Sequence, residues 1–313
     1  METDFVAWLL SRLPADARLE VPPGDDAAVL RSPALRRTVV TVDMLMEGVD
    51  FVLGPDVTAR AVGHKALGVS LSDLAAMGSR PEAAVVAVAL PKRGGESLAQ
   101  ELHAGLASLA AEHGVTIAGG DTNSWDGPLV ISVTALGSVP PGAAWRRDGA
   151  RPGDLLVVTG ACGGSLLGRH LAVRPRVREA AAIAARFPVH AAIDVSDGLS
   201  LDVSRMMAAS GTAAVLELAA VPIHPDAVRM SGLPGDGRSP LEHALGDGED
   251  FELVLALEPA AARQLVAEAG RPPLDVSVTV IGEVVEGQGL FARTTGGGRE
   301  PLKPRGYVHD FGN

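Results

Sequence analysis

The acidic residues of this sequence gather beside Gly, Ser or Thr, at points where an apolar run ends. Each one alone has an ordinary explanation as a turn former, a helix N-cap or a solvated helix residue. As a group they would repel one another unless cations lay between them, and oxygen ligands without a His or Cys cluster are typical of Mg²⁺. The set therefore indicates a magnesium site at the ends of strands. Its members are Asp25, Asp26, Asp43, Asp73, Asp121, Asp194, Asp197, Glu249 and Asp250.

The common phosphate-binding signatures are absent from this sequence. It contains no G-x-x-x-x-G-K-[ST] loop, no protein-kinase catalytic signature and no G-x-S-x-G. Gly119 and Gly120 precede Asp121 and could bring backbone N–H groups close to a phosphate, although a Gly pair alone is more often a tight turn. A polyphosphate would therefore be bound mainly through divalent cations on the carboxylates.

Charge and composition exclude several classes of protein. The formal net charge of -11 opposes binding to nucleic acid or to an anionic membrane surface. With 47% hydrophobic and 21% charged residues the chain is not of the disordered type, and its 313 residues favour two domains. Cys162 is the single cysteine, so an internal disulfide is excluded and a cytoplasmic location is expected. The first residues lack the basic segment of a signal peptide, and no apolar run is long enough to span a bilayer.

Hydrophobic periodicity predicts alternating strands and helices, with Asp43 and Asp121 at strand ends. The first half has predicted strands at 38–42, 83–90, 115–118 and 129–136 and predicted helices at 58–77, followed by Gly78 as a C-cap, and at 96–113. Turn-forming Pro and Gly residues mark a linker near 138–150. The second half has predicted strands after Asp154 and at 191–195, 213–218, 251–257 and 276–285, a Gly-rich turn at 160–164 and a helix at 199–209. The pattern predicts an α/β or α+β fold in two domains, 1–138 and 150–313.

Ordered motifs extend over nearly the whole chain. They are GDDAAVL (24–30), TVDMLMEGVDF (41–51), KALGVSLSDLAAMGSRP (65–81), AGGDTN (118–123), RRDGARPGD (146–154), AIDVSDGL (192–199), GDGEDFEL (246–253) and RGYVHDF (305–311). Several are shared by a superfamily that contains aminoimidazole ribonucleotide synthetase, selenophosphate synthetase and a hydrogenase-maturation protein. The whole set resembles the thiamine-monophosphate kinases of that superfamily.

The resemblance implies an aminoimidazole ribonucleotide synthetase-like fold. Its N-terminal α/β domain binds ATP and Mg²⁺ and dimerises through its sheet, and its C-terminal α/β domain closes the cleft and completes the ATP and substrate site. The family transfers the terminal phosphoryl group of ATP in line to thiamine monophosphate, with several Mg²⁺ ions. The implied metal ligands are Asp26, Thr41, Asp43, Asp73, Asp121, Asp194 and Asp197, of which Asp43, Asp121 and Asp197 are the predicted catalytic residues. The implied ATP contacts are Gly120, Asp121, Arg147 and Ser196, and the implied thiamine-phosphate contacts are Asp50, Glu249 and Tyr307.

The sequence departs from the family pattern at three positions. Asp50 stands where the family usually has His, Val42 where it has Thr, and Asn123 where it has a second Thr. The change at Asp50 concerns a position that contacts substrate. A selenophosphate synthetase would need a reactive Cys or selenocysteine near the N-terminus, and the hydrogenase-maturation protein a terminal Cys; this chain has neither. Two alternatives to the kinase remain: another ATP-dependent superfamily activity, such as aminoimidazole ribonucleotide synthetase, and a non-catalytic Mg-nucleotide-binding protein.

Overall fold

A computed structural model describes residues 11–14, 16–21, 29–30 and 35–308. The chain divides into two units. The N-terminal unit holds the described residues up to Leu74 together with Ser79–Ala143 and Leu171–Val173. The C-terminal unit holds Ala75–Gly78, Ala144–His170 and the described residues from Arg174 onwards.

The N-terminal unit is built on a four-stranded sheet. A short antiparallel pair, β1 (Leu19–Val21) and β2 (Val29–Leu30), lies outside that sheet. The sheet strands are β3 (Arg37–Met46), β4 (Arg80–Pro91), β5 (Thr116–Trp125) and β6 (Val130–Val139). Their order is β3-β6-β4-β5, with β4 and β5 parallel and β6 antiparallel to both neighbours. Helices α1 (Ala59–Ala76) and α2 (Gly95–His113) connect β3 to β4 and β4 to β5.

Two glycines let α1 and α2 cross at close range. A Cβ atom on Gly63 would lie 2.0 Å from the carbonyl oxygen of Leu102, and one on Gly105 would lie 1.9 Å from that of Arg60. Any larger residue would therefore push the helices apart. The crossing fixes the position of α1, which carries part of the site described below.

The two faces of the N-terminal sheet differ in exposure. Along β3, Leu45 is buried, whereas Val40, Val42 and Met44 are 61%, 63% and 59% exposed. Alternate residues of a strand point to the same face, and the register places Val85 of β4 in the same row as Val42. One face is therefore covered, and the other presents a row of apolar side chains.

The C-terminal unit is built on a seven-stranded sheet in the order β13-β12-β9-β11-β7-β10-β8. Only β9 and β12 are parallel among its paired strands. The strands are β7 (Leu155–Thr159), β8 (Val189–Asp194), β9 (Ala213–Leu216), β10 (Leu253–Leu257), β11 (Val278–Val285), β12 (Gly289–Arg293) and β13 (Arg299–Pro301). The helices are α3 (Val177–Ala184), α4 (Leu199–Ser210), α5 (Pro225–Ser231), α6 (Pro240–Gly246) and α7 (Pro259–Glu268). Strands β9 and β10 are buried along their whole length, which explains their unbroken apolar sequences AAVL and LVLAL.

The predicted mixed α/β fold is confirmed, and the predicted strands and helices are present with shifted ends. Gly78 follows α1 with a φ of 62°, and its N–H donates to the carbonyl of Ala75, as expected of a C-cap. The prediction that Asp43 and Asp121 end their strands is wrong, because β3 continues to Met46 and β5 to Trp125. Within the described residues, no helix is long and apolar enough to cross a membrane.

Candidate active site

A cluster of polar side chains lies between β3 and α1 in the N-terminal unit. Thr41 Oγ1 donates to Asp73 Oδ2, and Ser70 Oγ donates to Asp43 Oδ2 at 2.6 Å. Ser132 Oγ of β6 donates to the Asp43 carbonyl at 2.9 Å. Because Thr41 and Asp43 are two residues apart on β3, they point to the same face of the sheet, where α1 brings Ser70 and Asp73 to meet them. The structure thus brings together three of the predicted metal ligands.

The charge of this cluster is not balanced by its hydroxyl donors. Burial, and then the neighbouring Asp73 carboxylate, raises the pKa of Asp43 to about 6, although the bond from Ser70 opposes the shift. A like charge nearby has this effect because each carboxylate disfavours ionisation of the other. The donor set consists of hard oxygen atoms from two carboxylates and two hydroxyl groups, so these residues fit Mg²⁺. In the part of the chain that the structure describes, no three His, Cys, Asp or Glu side chains form a group that could hold a metal ion.

Asp121 does not join this cluster. Asp43 pairs with Val133, which pairs with Val86, which pairs with Gly120, so Asp121 belongs to the next row and points to the opposite face of the sheet. Three strand spacings separate β5 from β3, or about 14 Å. Asp26, a further predicted ligand, lies outside the described residues.

Gly120, a predicted ATP contact, has a structural requirement of its own. A Cβ atom at this position would lie 2.0 Å from the carbonyl oxygen of Val86 in the neighbouring strand. Gly120 is exposed, so its backbone remains accessible on the open edge of the sheet. The residue is therefore required by strand packing whether or not it contacts a phosphate.

Asp50 is held by the backbone turn that follows β3. Its Oδ2 accepts a hydrogen bond from the Met46 N–H at 2.7 Å. Its carbonyl accepts one from Nζ of Lys65, a fully buried lysine of α1, at 2.9 Å. One oxygen of the Asp50 carboxylate thus binds the protein's own backbone, in addition to the substrate contact predicted for this residue.

The C-terminal unit brings together most of the other predicted site residues. Asp194 is buried at the end of β8, and the segment after it is joined to two other segments by backbone hydrogen bonds. The Glu249 N–H donates to the Ser196 carbonyl at 2.7 Å, and the Tyr307 N–H donates to the Asp197 carbonyl at 2.9 Å. Segments 194–198, 246–250 and 305–307 therefore lie next to one another, and Tyr307 is 51% exposed.

Asp197 is paired with a cation in this structure. Arg205 of α4 donates to the carboxylates of both Asp197 and Asp202. Asp202 is almost fully buried and also accepts the N–H groups of Asp197 and Gly198, each at 3.0 Å. Burial raises the pKa of Asp202 to about 6, against the hydrogen bonds that it accepts. A metal ion at Asp197 would therefore compete with Arg205 for the carboxylate.

The segment around Glu249 has an unusual backbone. Glu249 and Phe251 have φ angles of 53° and 52°, in the left-handed region that only Gly adopts readily. Such conformations cost about 1–3 kcal/mol each and persist where surrounding contacts hold them. Asp250 lies between these two residues and Glu252 follows Phe251. Both are buried carboxylates, and each is paired with an arginine. Burial raises the pKa of Asp250 to about 7, although its partner Arg169 opposes the shift.

Arg147, the remaining predicted ATP contact, is exposed at the start of the C-terminal unit. Its carbonyl accepts a hydrogen bond from Ser210 Oγ at 2.8 Å, and the neighbouring Arg146 carbonyl accepts one from the Ala192 N–H of β8 at 2.9 Å. These contacts fix the backbone and leave the guanidinium on the surface.

Several residues of the site were not identified from sequence. Ser70 could have been found from its position one helical turn before Asp73. Lys65 could have been found as a charged residue inside a helix whose other residues are mostly small or apolar. Two of the arginines pair with acids 76 and 81 residues away, so no local pattern links them to their partners, whereas the third pairs with acids three and eight residues away. The three arginines are Arg169, Arg176 and Arg205.

Comparisons with known proteins identify the class. Residues 24–139 match the family model described as AIR synthase related protein, N-terminal domain, and residues 151–294 match the one described as AIR synthase related protein, C-terminal domain. Both matches place the chain among the AIR synthase related proteins, in agreement with its two sheets and its carboxylate-rich site.

Similar proteins and solved structures show which family of AIR synthase related proteins the chain belongs to. The thiamine-monophosphate kinase of Rhodopirellula baltica is 43% identical over 317 residues, which cover 99% of this chain and 97% of that protein. The crystal structure of thiamine-monophosphate kinase from Stenotrophomonas maltophilia K279a is 34% identical, with a TM-score of 0.77, and the match covers 93% of this chain and 94% of that one. AaThiL complexed with AMPPCP and TMP is 26% identical, with a TM-score of 0.76, and covers 99% of this chain and 96% of that one. The chain belongs to the thiamine-monophosphate kinase family, and the resemblance seen in its motifs is confirmed.

Proposed function

We propose that this protein transfers the terminal phosphoryl group of ATP to thiamine monophosphate and releases thiamine diphosphate and ADP. The observation that carries the proposal is the match along nearly the whole chain to thiamine-monophosphate kinases, together with AaThiL, which binds AMPPCP and TMP. The acidic cluster of β3 and α1 supplies groups that suit this chemistry. We also propose a cytoplasmic location, since the single cysteine requires no oxidising compartment.

The acceptor requires no dedicated general base. A phosphate monoester has a second pKa of about 6, so its oxygen is largely anionic near neutral pH. The residues of the site would therefore act by orienting the two phosphates in line and by balancing charge. A site that is rich in carboxylates, which bind Mg²⁺, suits these two roles.

We assign the metal ligands as the family pattern implies, namely Asp26, Thr41, Asp43, Asp73, Asp121, Asp194 and Asp197. Mg²⁺, when bound, would neutralise the charge that develops on the transferred phosphoryl group. The support is strongest for Asp43 and Asp73, whose mutual repulsion a cation would relieve. Within this set we infer that Asp43, Asp121 and Asp197 contribute most to catalysis.

We assign ATP contacts to Gly120, Asp121, Arg147 and Ser196, and acceptor contacts to Asp50, Glu249 and Tyr307. The proposed domains are 1–138, for ATP, Mg²⁺ and dimerisation, and 150–313, which completes the site. The exposed backbone at Gly120 and the exposed guanidinium at Arg147 support these contacts. The hydrogen bond from Met46 to Asp50 leaves the second carboxylate oxygen of Asp50 for a cation or for the acceptor.

We propose that the protein is a homodimer formed through the open face of the N-terminal sheet. The row of Val40, Val42, Met44 and Val85 supports this interface, because exposed apolar rows rarely remain uncovered in solution. Val42→Asp should convert the dimer into a monomer in analytical ultracentrifugation. If the wild-type protein sedimented as a monomer at micromolar concentration, the proposed dimer would be wrong.

A turnover assay tests the proposed activity. Purified protein is incubated with ATP, Mg²⁺ and either thiamine monophosphate or free thiamine, and ADP and thiamine diphosphate are measured by chromatography. We expect both products in equal amounts with thiamine monophosphate. ATP binding without ADP release would favour the non-catalytic alternative, and turnover only with formylglycinamidine ribonucleotide would favour the aminoimidazole ribonucleotide synthetase alternative.

The same assay tests the metal. EDTA should abolish turnover, and Mg²⁺ should restore it while Zn²⁺ should not, because the site offers oxygen ligands without sulfur or an imidazole cluster. Restoration by Zn²⁺ alone would contradict an oxygen-ligand site.

A further inference from the structure

Three consecutive residues of the turn Gly163–Ser165 donate hydrogen bonds to the segment that carries Glu249. The Gly163 N–H donates to both carboxylate oxygens of Asp250 at 2.9 Å, and the Gly164 N–H donates to Asp247 Oδ2 at 2.7 Å. Ser165 Oγ donates to the Gly248 carbonyl at 2.6 Å. The donors therefore bind the segment on both sides of Glu249, and Glu249 itself is not among their acceptors.

The geometry of this turn requires its glycines. Gly163 and Gly164 have φ angles of 92° and 74°. A Cβ atom would lie 2.6 Å from the Ala244 nitrogen at the first position and 2.3 Å from the Asp226 carbonyl carbon at the second. A Gly-rich turn of this kind is often taken as a phosphate cradle. Here its N–H groups are already occupied by Asp247 and Asp250, so the turn acts on the protein's own carboxylates.

Arg169 also binds the segment that carries Glu249, through Asp250. Its Nη2 donates to Asp250 Oδ1 at 2.7 Å and to the Gly163 carbonyl at 3.1 Å, so it joins both halves of the contact. The Asp250 side chain is 1% exposed, which means that its charge depends on Arg169 and Gly163. On either side of Asp250, Glu249 and Phe251 hold left-handed backbone angles. The buried pair thus lies at the centre of the strained segment.

We propose that Arg169, together with the Gly163–Ser165 turn, positions Glu249 for binding of the thiamine-phosphate acceptor. Arg169 is a positioning residue, because it acts through Asp250 and the backbone. This inference rests on the proposed function of Glu249, and it adds the residues that hold Glu249 in place. A strained backbone held by buried contacts is a common way to orient a functional side chain.

The chain offers a matched control. Arg176 donates to the Glu252 carboxylate, which is 4% exposed, and Thr159 Oγ1 donates to the same carboxylate at 2.7 Å. This pair is buried like that of Arg169 and Asp250, but it lies beyond Phe251, next to the start of β10. Breaking it should lower stability without releasing Glu249.

The experiment compares Arg169→Lys with Arg176→Lys in steady-state kinetics and in thermal unfolding. Lys keeps the charge and loses the planar geometry of the guanidinium. Arg169→Lys should raise the KM for thiamine monophosphate about tenfold, with the KM for ATP unchanged, the pattern of lost acceptor binding. Arg176→Lys should lower the Tm and leave both KM values unchanged. Ser165→Ala, which removes one hydrogen bond, should raise the KM for thiamine monophosphate about threefold.

Two results would overturn the inference: unchanged KM for the acceptor in both Arg169→Lys and Ser165→Ala, or an equal rise in the KM for ATP. If Arg169→Lys does not fold, Ser165→Ala decides. If the wild-type protein does not phosphorylate thiamine monophosphate, the proposed function fails instead. The positioning then rests on a crystal structure of Arg169→Lys, in which φ of Glu249 should leave the left-handed region; an unchanged φ would contradict it.

Discussion

The carboxylates of the N-terminal and C-terminal units are balanced in different ways. In the N-terminal unit, Asp43 and Asp73 accept hydrogen bonds from hydroxyl groups. Burial, and then the proximity of Asp73, raises the pKa of Asp43 to about 6. In the C-terminal unit, Asp197, Asp250 and Glu252 each accept a hydrogen bond from an arginine. A hydroxyl group satisfies a lone pair but leaves the charge, whereas a guanidinium satisfies both.

This difference separates two uses of acidic residues. The N-terminal pair places two carboxylates and two hydroxyl groups together, and such oxygen donors are the ligands expected of a magnesium site. The C-terminal pairs are neutralised within the protein and hold the backbone in a strained shape. A count of acids in the sequence treats both groups alike, although only the second has arginines as partners in the structure.

The largest effect is expected from removing the charge of Asp43. Asp43→Asn should lower kcat by about 10³-fold, because a metal ligand contributes several kcal/mol to the transition state and about 1.4 kcal/mol corresponds to tenfold. The same change should raise the Tm of the metal-free protein, since it removes one of two repelling carboxylates. Kinetics and thermal unfolding in EDTA measure both effects.

Two further variants sharpen this test. Asp121→Asn should also lower activity, but it should leave the Tm in EDTA unchanged because Asp121 is exposed on the opposite face of the sheet. Asp56→Asn, an exposed loop position, should change neither quantity. Near-normal turnover of Asp43→Asn at limiting Mg²⁺ would show that Asp43 is not a metal ligand.

A smaller effect is expected from pH at Asp250. Burial raises the pKa of Asp250 to about 7 in the folded protein, above its value of about 4 in the unfolded chain. The folded state therefore binds the proton more tightly, and this stabilises the protein fully below about pH 4. The stabilisation is lost as the pH rises through 7. Between pH 5 and pH 7 the wild-type protein should lose about 2 kcal/mol of unfolding free energy through this group. Asp250→Asn should remove that part of the slope. Urea unfolding at several pH values measures it, and parallel pH profiles for the two proteins would contradict the assignment.

The sequence predicted the strands and helices better than it predicted which site residues lie in contact. Periodicity located the strands and helices, because burial is recorded locally in alternating or helical spacing. The position of Asp121 was not predictable in this way. β6 is inserted between β3 and β4, so an acid that follows one βα unit along the chain lies three strands from β3.

Local sequence patterns also could not predict the ion pairs between residues that are distant in sequence. Arg176 and Glu252 are 76 residues apart, and Arg169 and Asp250 are 81 apart. Each arginine alone reads as a surface residue, and only the fold shows that its partner is buried. The left-handed backbone at Glu249 has no sequence signal either, since Glu rarely adopts it.

The smallest effect on substrate binding is expected at Tyr307, in the C-terminal unit. It is the single tyrosine of the chain and is 51% exposed, while its N–H donates to the Asp197 carbonyl at 2.9 Å. Its backbone is therefore fixed beside segment 194–198.

Tyr307→Ala should raise the KM for thiamine monophosphate several-fold and leave the KM for ATP nearly unchanged. An aromatic ring stacked on the cationic rings of thiamine contributes roughly 0.5–2 kcal/mol, which sets the size of the change. Tyr307→Phe keeps the ring and should retain most of the affinity. The backbone bond to Asp197 survives both substitutions, so any difference between them reports on the side chain alone. If Tyr307→Ala shifted only the KM for ATP, Tyr307 would belong to the nucleotide side of the site, and acceptor binding in the C-terminal unit would rest on Glu249.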